Sequence, residues 1–240
     1  MISRFFFPDP LPLSGAVPLP DALAHHASRV LRLRDGDPVV LFDGRGGEVA
    51  AQLAAQGKTW LAVLGEASPV ERESPLQLVL VQALASGDKM DWIVQKAVEL
   101  GARAVVPVEA ERSVLRLSGD RAVKRVEHWR QVAVSACEQS GRNRVPTIEP
   151  IAALRDYLAR PAGALRLVLD PAHGTRPASL APPAGAVHLL IGPEGGWSEP
   201  ELAACRVADC TPIGLGPRVL RTETAGLAAL AAFQALWGDF

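Results

Sequence analysis

Two segments near the carboxyl end of the chain carry residue types that can do chemistry. The second of them, residues 215–225, places Arg218, Arg221 and Glu223 between a Gly-Pro turn and the start of a predicted helix. A guanidinium group can stabilise negative charge on a reacting group, and a carboxylate can accept a proton. These side chains are therefore candidates for acid–base chemistry on a bound ligand.

The first segment, residues 189–201, is rich in glycine. Gly192, Gly195 and Gly196 remove side chains from a turn and let the main chain approach a ligand closely. Each segment follows a short apolar run and ends where a helix can begin, which predicts two turns at the carboxyl edge of a sheet. Open α/β sheets bind their ligands at that edge.

Capping signals mark the helices that follow the two turns. Ser198 and Glu201 have the spacing of a capping box, and Thr222 is the predicted N-cap of the next helix. Ordinary strand-to-helix turns are the alternative interpretation of both segments. Neither segment has a dinucleotide or P-loop motif, so a ligand other than a nucleoside triphosphate is expected.

The elements that must position these segments fall into two predicted domains, residues 1–70 and 71–240. The first contains a predicted helix over 21–31 and short β-prone runs at 39–42, 49–53 and 59–64, which predict a small barrel-like module. A polar stretch at 65–75 with two prolines is a predicted linker.

Beyond the linker, predicted strands alternate with predicted helices. The strands are expected at 76–84, 104–108, 165–169 and 187–191, and the helices at 88–100 and 121–139. This alternation is typical of an α/β domain with a mostly parallel sheet, and its default topology is unknotted. The run 226–237 is apolar nearly all round, so it needs burial within its own domain or against a second subunit.

Composition limits the class of protein. The chain has 240 residues, of which 48% are apolar, and three cysteines without metal-binding spacing. We expect a globular cytoplasmic protein with reduced thiols, no metal site and no membrane segment.

Charge is segregated along the chain although the net charge is only −1. Residues 112–144 contain eight basic and three acidic side chains, whereas residues 187–240 contain three basic and six acidic ones. A second basic cluster surrounds the predicted helix at 21–31. Contact with RNA phosphates and ordinary solvation of a helix surface both explain such runs.

Several phrases of the sequence resemble one known family. "LIGPEGGWSEPEL" followed by "LGPRVLRTETA" is similar to the C-terminal signature of the bacterial 16S ribosomal RNA (uracil-N3) methyltransferases. The phrases "HHASRVLRLRDGD", "LFDGRGGE", "QALASGDKMDWIVQKAVELGA", "ERSV" and "ACEQSGRNRVP" match the same family in order. The resemblance covers nearly the whole chain.

This resemblance implies a fold and a cofactor. The family belongs to the SPOUT class, so it implies a C-terminal domain with a trefoil knot, a PUA-like N-terminal RNA-binding β-barrel and a homodimer. It also implies that S-adenosylmethionine binds to the two C-terminal segments. The implied cofactor-binding residues are Leu190, Ile191, Gly192, Pro193, Glu194, Gly195, Gly196, Leu215, Gly216, Leu220 and Thr222.

The implied reaction is methylation of N3 of a uridine in 16S rRNA. The N3 proton must leave, so Arg221 is the expected oxyanion stabiliser and Glu223 a candidate base. Stabilisation of a helix N-terminus is the competing role for Glu223. The expected RNA-binding residues are Arg4, His26, Arg29, Arg32, Arg112 and Arg142.

Three hypotheses follow from the sequence. The first is an RNA methyltransferase that acts on 16S rRNA within the small ribosomal subunit, or on another RNA. The second is an RNA-binding ribosome-assembly module without catalysis, which leaves the two C-terminal segments without a purpose. The third is a small-molecule enzyme on a similar sheet, which leaves the basic N-terminal module unexplained.

Overall fold

A computed structural model describes residues 2–57, 59–161 and 163–240. Tertiary contacts divide the chain into two units. The first unit contains the chain up to Glu73 together with Cys137–Val145, and the second contains Ser74–Ala136 and Pro146–Phe240. The predicted boundary at residue 70 lies close to Glu73, but the sequence did not predict that Cys137–Val145 belongs with the first unit.

The first unit is built on one sheet. Its described strands are β1 (Ser3–Phe6), β2 (Gly15–Pro18), β3 (Pro38–Phe42), β4 (Glu48–Gln56) and β5 (Thr59–Ser68). They are ordered β1-β3-β4-β5-β2, and every pair is antiparallel except β1 with β3. Alternate residues such as Val39 and Leu41, or Val49, Ala51 and Leu53, enter a common apolar core.

Two predictions for this unit are corrected by the structure. The helix expected over 21–31 is a short α-helix, α1 (Asp21–His25), followed by a π-helical turn at His26–Val30. The linker expected over 65–75 begins later, because β5 continues to Ser68 and keeps its pairing with Glu48.

Charged side chains hold Cys137–Val145 within the first unit. Arg4 donates to the carboxylate of Glu48 at 2.5 Å and to the amide oxygen of Asn143 at 2.6 Å. Arg142 is buried, with 4% of its surface exposed, and forms a two-point ion pair with Glu73. Both guanidinium groups are thus engaged within the first unit, and the expectation that Arg4 and Arg142 bind RNA stays a prediction.

The second unit alternates strands and helices. Its described strands are β6 (Leu78–Ala83), β7 (Ala104–Glu109), β8 (Thr147–Ile148), β9 (Ala152–Ala153), β10 (Leu165–Leu169), β11 (Val187–Ile191) and β12 (Thr211–Ile213). Its helices are α2 (Lys89–Glu99), α3 (Gly119–Ser140), whose last turn is grouped with the first unit, α4 (Leu154–Leu158), α5 (Glu199–Val207) and α6 (Thr222–Trp237).

All the described pairs in this sheet are parallel, as the alternating pattern predicted. The strand order is β12-β10-β11-β6-β7-β8, and β9 also pairs with β7. Every residue of β6 is buried, because the sheet is covered on both faces. Helix α6 packs against α2, β6 and β11. The trefoil knot implied by the resemblance stays a prediction.

Candidate cofactor and catalytic site

A cavity of about 390 Å³ lies at the carboxyl ends of three neighbouring strands, β10, β11 and β12. Its walls come mainly from the loop that follows β11, residues 192–197, and the loop that follows β12, residues 214–221. We call these the first and second cavity loops. Two turns from separate parts of the chain meet here because parallel strands end at the same edge of a sheet.

Most of the residues expected to bind a cofactor line this cavity. They are Ile191, Gly192, Pro193, Glu194, Gly196, Leu215, Gly216, Leu220 and Thr222. Leu190 and Gly195 are not among the lining residues: Leu190 is buried in the sheet core, and Gly195 faces Arg112. Several lining residues at and just after the end of β10, at the end of β12 and in the second cavity loop were not expected from the sequence, namely Leu169, Asp170, Pro171, Ile213, Gly214 and Val219.

Steric crowding explains the glycines of the first cavity loop. A Cβ on Gly192 would lie 3.3 Å from the backbone nitrogen of Trp197, and a Cβ on Gly195 would lie 3.0 Å from the Cβ of Arg112. Gly196 has a φ of +67°, which favours glycine. The loop leads into α5 through the predicted capping box, in which Ser198 and Glu201 exchange hydrogen bonds of 2.9 and 3.4 Å.

The backbone around β12 makes a second close approach. The N–H of Thr175 donates to the carbonyl of Pro212 at 3.1 Å, and the carbonyl of Thr175 accepts from the N–H of Gly214 at 2.8 Å. A Cβ on Gly174 would overlap the backbone of Ile213 and Gly214. The main chain after β10 therefore passes directly beside the main chain that enters the second cavity loop.

Thr222, which directly follows the second cavity loop, is hydrogen-bonded to the first cavity loop and to β6. Its hydroxyl donates to the carbonyl oxygen of Gly192 at 2.6 Å and accepts from the amide of Gln82 at 2.9 Å. The prediction that Thr222 is the N-cap of α6 is wrong: Arg221 is the N-cap, and its side chain makes no capping hydrogen bond. The hydroxyl of Thr222 instead spans the gap between β6 and the first cavity loop.

Lys89, at the start of α2, lies between carboxylates of both segments. Its ammonium is 3.2 Å from Oε1 of Glu194 and 3.5 Å from Oε2 of Glu223. The hydrogen bond to Glu194 raises the pKa of Lys89. This lysine could not be predicted from the sequence, because a lone lysine in the first turn of a helix gives no signal of its own.

Glu194 is held as a carboxylate. Burial raises the pKa of this group, but hydrogen bonds from the N–H and hydroxyl of Ser86 and from Lys89 outweigh burial and bring the pKa to about 2. The side chain of Glu194 thereby joins the first cavity loop to Ser86, which lies shortly after β6.

Two arginines extend from the second cavity loop. Arg218 and Arg221 both line the cavity and are exposed. Glu223, in the first turn of α6, keeps 26% of its side-chain surface exposed. Glu223 is not among the residues that line the cavity, but it lies two residues after Arg221, so the two guanidinium groups and this carboxylate are close in the chain beside the cavity.

The basic residues expected to bind RNA have three different environments. Arg4 and Arg142 are engaged in the first unit, as described above, whereas His26, Arg29 and Arg32 of the same unit are exposed. Arg112 is exposed but donates to the carbonyl oxygens of Gly195 and Trp197, at 3.1 and 3.3 Å. It thus holds the first cavity loop.

Metal-binding clusters and membrane-spanning helices are both absent from the described part of the chain. Within residues 2–57, 59–161 and 163–240, no group of three or more His, Cys, Asp or Glu side chains could hold a metal ion. No helix among those same residues is long and apolar enough to cross a membrane.

Comparison with known proteins identifies the family. The family model of the RNA methyltransferase domain matches residues 72–234, and that of the RNA methyltransferase PUA domain matches residues 19–59. The chain belongs to this RNA methyltransferase family. The resemblance noted in the sequence is thereby confirmed, as is an α/β fold with a PUA-like first unit.

Individual relatives of the methyltransferase cover nearly its whole length. Ribosomal RNA small subunit methyltransferase E of Bacillus subtilis is 34% identical over 220 residues, which are 88% of this chain and 86% of the relative. The Mycobacterium bovis protein of the same name is 35% identical over 98% of this chain and 93% of its own. These relatives resemble the chain in both units.

Solved structures are similar over their full length. Ribosomal RNA small subunit methyltransferase E of Neisseria gonorrhoeae, bound to S-adenosyl methionine, superposes with a TM-score of 0.93 at 40% identity, with 100% of each chain covered. A Legionella pneumophila protein in complex with the cofactor SAM gives a TM-score of 0.95 at 32% identity, again with 100% of each chain covered.

Proposed function

We propose that this protein methylates N3 of a specific uridine in 16S rRNA, with S-adenosylmethionine as the methyl donor. The observation that carries the proposal is the cavity formed by the two loops, in a chain that belongs to an RNA methyltransferase family. Relatives named for small-subunit rRNA methylation support the choice of RNA.

The cavity suits S-adenosylmethionine. Its volume of about 390 Å³ is within the range of small-molecule sites. Leu215 and Leu220 offer apolar surface to an adenine ring, while the main chain of Gly192 and Gly214 offers polar groups without side chains in the way. When bound, this cofactor would supply an electrophilic methyl group.

Arg221, which is exposed, and Glu223, which is half-buried, have the chemistry that the uracil requires. N3 carries a proton, and its nitrogen becomes a good nucleophile only as that proton leaves. Glu223 would accept the proton, and Arg221 would donate hydrogen bonds to O2 or O4 of the ring, where negative charge develops. The methyl group would pass from sulfur to N3, which leaves S-adenosylhomocysteine and an N3-methylated uridine, and the proton passes from the carboxylate to solvent.

The RNA surface of the first unit is proposed to include His26, Arg29 and Arg32. All three are exposed, and they lie on or just after the π-helical turn. Arg32 has a φ of +57°, a backbone conformation that is uncommon outside glycine and often marks a functional position. Arg112 is proposed to act on the first cavity loop.

The assembly and location of the protein belong to the same proposal. We expect a homodimer in the cytoplasm whose interface includes α6, where Leu236 is 40% exposed. The buried side of this helix already packs within its own unit, through residues such as Leu230 and Phe233. Sedimentation at micromolar concentration tests the dimer, and a monomer there would contradict it.

One experiment tests the function. The protein is incubated with labelled S-adenosylmethionine and either free 16S RNA or small subunits from cells that lack the gene, and the nucleosides are then analysed by mass spectrometry. We expect 3-methyluridine. Cofactor binding without transfer to either RNA would indicate an assembly factor or another RNA substrate, and absence of both binding and transfer would refute the methyltransferase proposal.

A further inference from the structure

The cluster formed by Lys89, Glu194 and Glu223 has an uneven set of contacts. Oε1 of Glu194 accepts three hydrogen bonds: 2.9 Å from the N–H of Ser86, 2.8 Å from its hydroxyl and 3.2 Å from Lys89. Two of those three hydrogen bonds come from Ser86. Glu194 is therefore anchored even without the lysine.

The position of the Glu223 carboxylate depends on Lys89 much more strongly than the position of the Glu194 carboxylate does. Its Oε2 is buried, lies 3.5 Å from the ammonium of Lys89 and has no hydrogen-bond partner among the described residues. The neighbouring carboxylate of Glu194 also has a buried oxygen, Oε2, without such a partner in the described part of the chain. Two negative groups thus share one cation, and the ionised form of Glu194 is fixed by Ser86.

We propose that Lys89 is a positioning residue for Glu223, an inference that rests on the proposed function. Lys89 holds the Glu223 carboxylate at the start of α6, in the place where it can accept the uracil proton. Without the lysine, Glu223 faces an ionised Glu194 with no cation between them. The carboxylate then turns toward solvent and no longer lies where the proton leaves.

Direct contact between Lys89 and RNA is the competing role. The side chain is 31% exposed, but its ammonium is directed at two carboxylates, and a phosphate would have to displace them. A lysine held in this way contributes little to nonspecific attraction for RNA. The positioning role accounts for both of its contacts.

The test compares Lys89→Met, Lys89→Arg, Glu223→Gln and the double variant Lys89→Met/Glu223→Gln. Lys96→Met is the control, because Lys96 lies on the same helix, is similarly exposed at 27%, and pairs with Glu99. Isothermal calorimetry gives the dissociation constant for S-adenosylmethionine, and steady-state kinetics on small subunits give kcat and KM.

We expect Lys89→Met to lower kcat about 10- to 100-fold, the range for a misplaced reacting group. Its affinity for S-adenosylmethionine stays within a factor of about 3, since Ser86 still anchors the first cavity loop through Glu194. Lys89→Arg keeps more activity than Lys89→Met, and the double variant is no slower than Glu223→Gln alone. Additive losses in the double variant, or equal losses of affinity and kcat, would overturn the proposal.

A crystal structure of Lys89→Met tests the positioning role of Lys89 independently of the proposed methyltransferase activity. We expect Glu223 to leave its position while Glu194 keeps its bonds to Ser86, whether or not the protein methylates RNA. An unmoved Glu223 refutes the positioning role, even if the wild-type protein is an active methyltransferase. Wild-type protein that transfers no methyl group refutes the function instead.

Discussion

Replacing Thr222 by valine removes a hydroxyl and keeps the shape of the side chain. Thr222 is 5% exposed, and its hydroxyl makes two hydrogen bonds, to the carbonyl of Gly192 and from the amide of Gln82. The amide of Gln82 also donates to the carbonyl of Ala83, so it keeps one partner. The carbonyl of Gly192, in the first cavity loop, loses its donor.

The magnitude follows from these losses. A buried group left without its partner costs about 1–3 kcal/mol, and the loss of the second hydrogen bond adds about 1 kcal/mol, for a total of about 2–4 kcal/mol. With a urea dependence of about 2 kcal/mol per molar, the unfolding midpoint of the second unit falls by about 1–2 M. Urea titration followed by circular dichroism measures this shift.

Thr224→Val is the matched control. Thr224 lies in the same first turn of α6 and is exposed, so the same substitution changes stability by at most about 0.5 kcal/mol. Thr222→Ser keeps the hydroxyl and is expected to lie between the wild type and Thr222→Val. A midpoint for Thr222→Val no lower than that of Thr224→Val would show that the hydroxyl does not stabilise the first cavity loop.

Three further predictions concern the site. Arg221→Ala keeps affinity for S-adenosylmethionine and lowers kcat about 100-fold, as expected for a lost oxyanion donor, and a loss of affinity alone would move Arg221 from catalysis to the cofactor pocket. Arg112→Gln weakens S-adenosylmethionine binding about 3- to 10-fold, because one or two hydrogen bonds to the first cavity loop disappear. Calorimetry measures this loss, with Arg121→Gln as the control. An effect confined to RNA affinity and its salt dependence would instead support the expected RNA-binding role of Arg112. The pKa of Glu194 is lowered from 4.5 to about 2, so its contribution to stability is present above pH 4.5 and is lost as the pH falls toward 2. In urea titrations over that pH range, the free energy of unfolding of the wild-type protein should therefore fall faster than that of Glu194→Gln. Parallel plots of unfolding free energy against pH for the two proteins would contradict this.

The sequence predicted the second unit better than the first. The runs 165–169 and 187–191 are strands with the expected bounds, and the apolar spacing of Met90, Ile93, Val94, Ala97 and Val98 gives the buried face of α2. Buried parallel strands and amphipathic helices have strong patterns of their own. The capping box after the glycine loop is similarly local, so its residues could be predicted directly.

Long-range contacts limited the remaining predictions. Strand β1 has a run of phenylalanines but pairs with β3, more than thirty residues later, and nothing local specifies that partner. Thr222 has the residue type and place of an N-cap, yet its hydroxyl binds the carbonyl of Gly192. Arg142 has the sequence context of an exposed basic residue, yet it forms an ion pair with Glu73. In each case a distant partner decides the role.

The close approach at Gly174 and Gly214 limits how the family can vary at this site. Neither residue has a φ in the left-handed region, so space alone excludes a side chain at Gly174, where a Cβ would overlap the carbonyl carbon of Ile213, and makes one tight at Gly214, where a Cβ would lie 3.0 Å from the carbonyl oxygen of Gly174. A Cβ on Gly163 or Gly185 would meet no described atom within 4 Å, and neither glycine has an unusual φ. Other residue types should therefore be tolerated at both positions. In a library of random variants selected for methyl transfer, position 174 should therefore stay glycine and position 214 should accept few changes, while positions 163 and 185 diversify. The close backbone contact beside β12 therefore constrains the sequence of the cofactor site, while the loops around it can change.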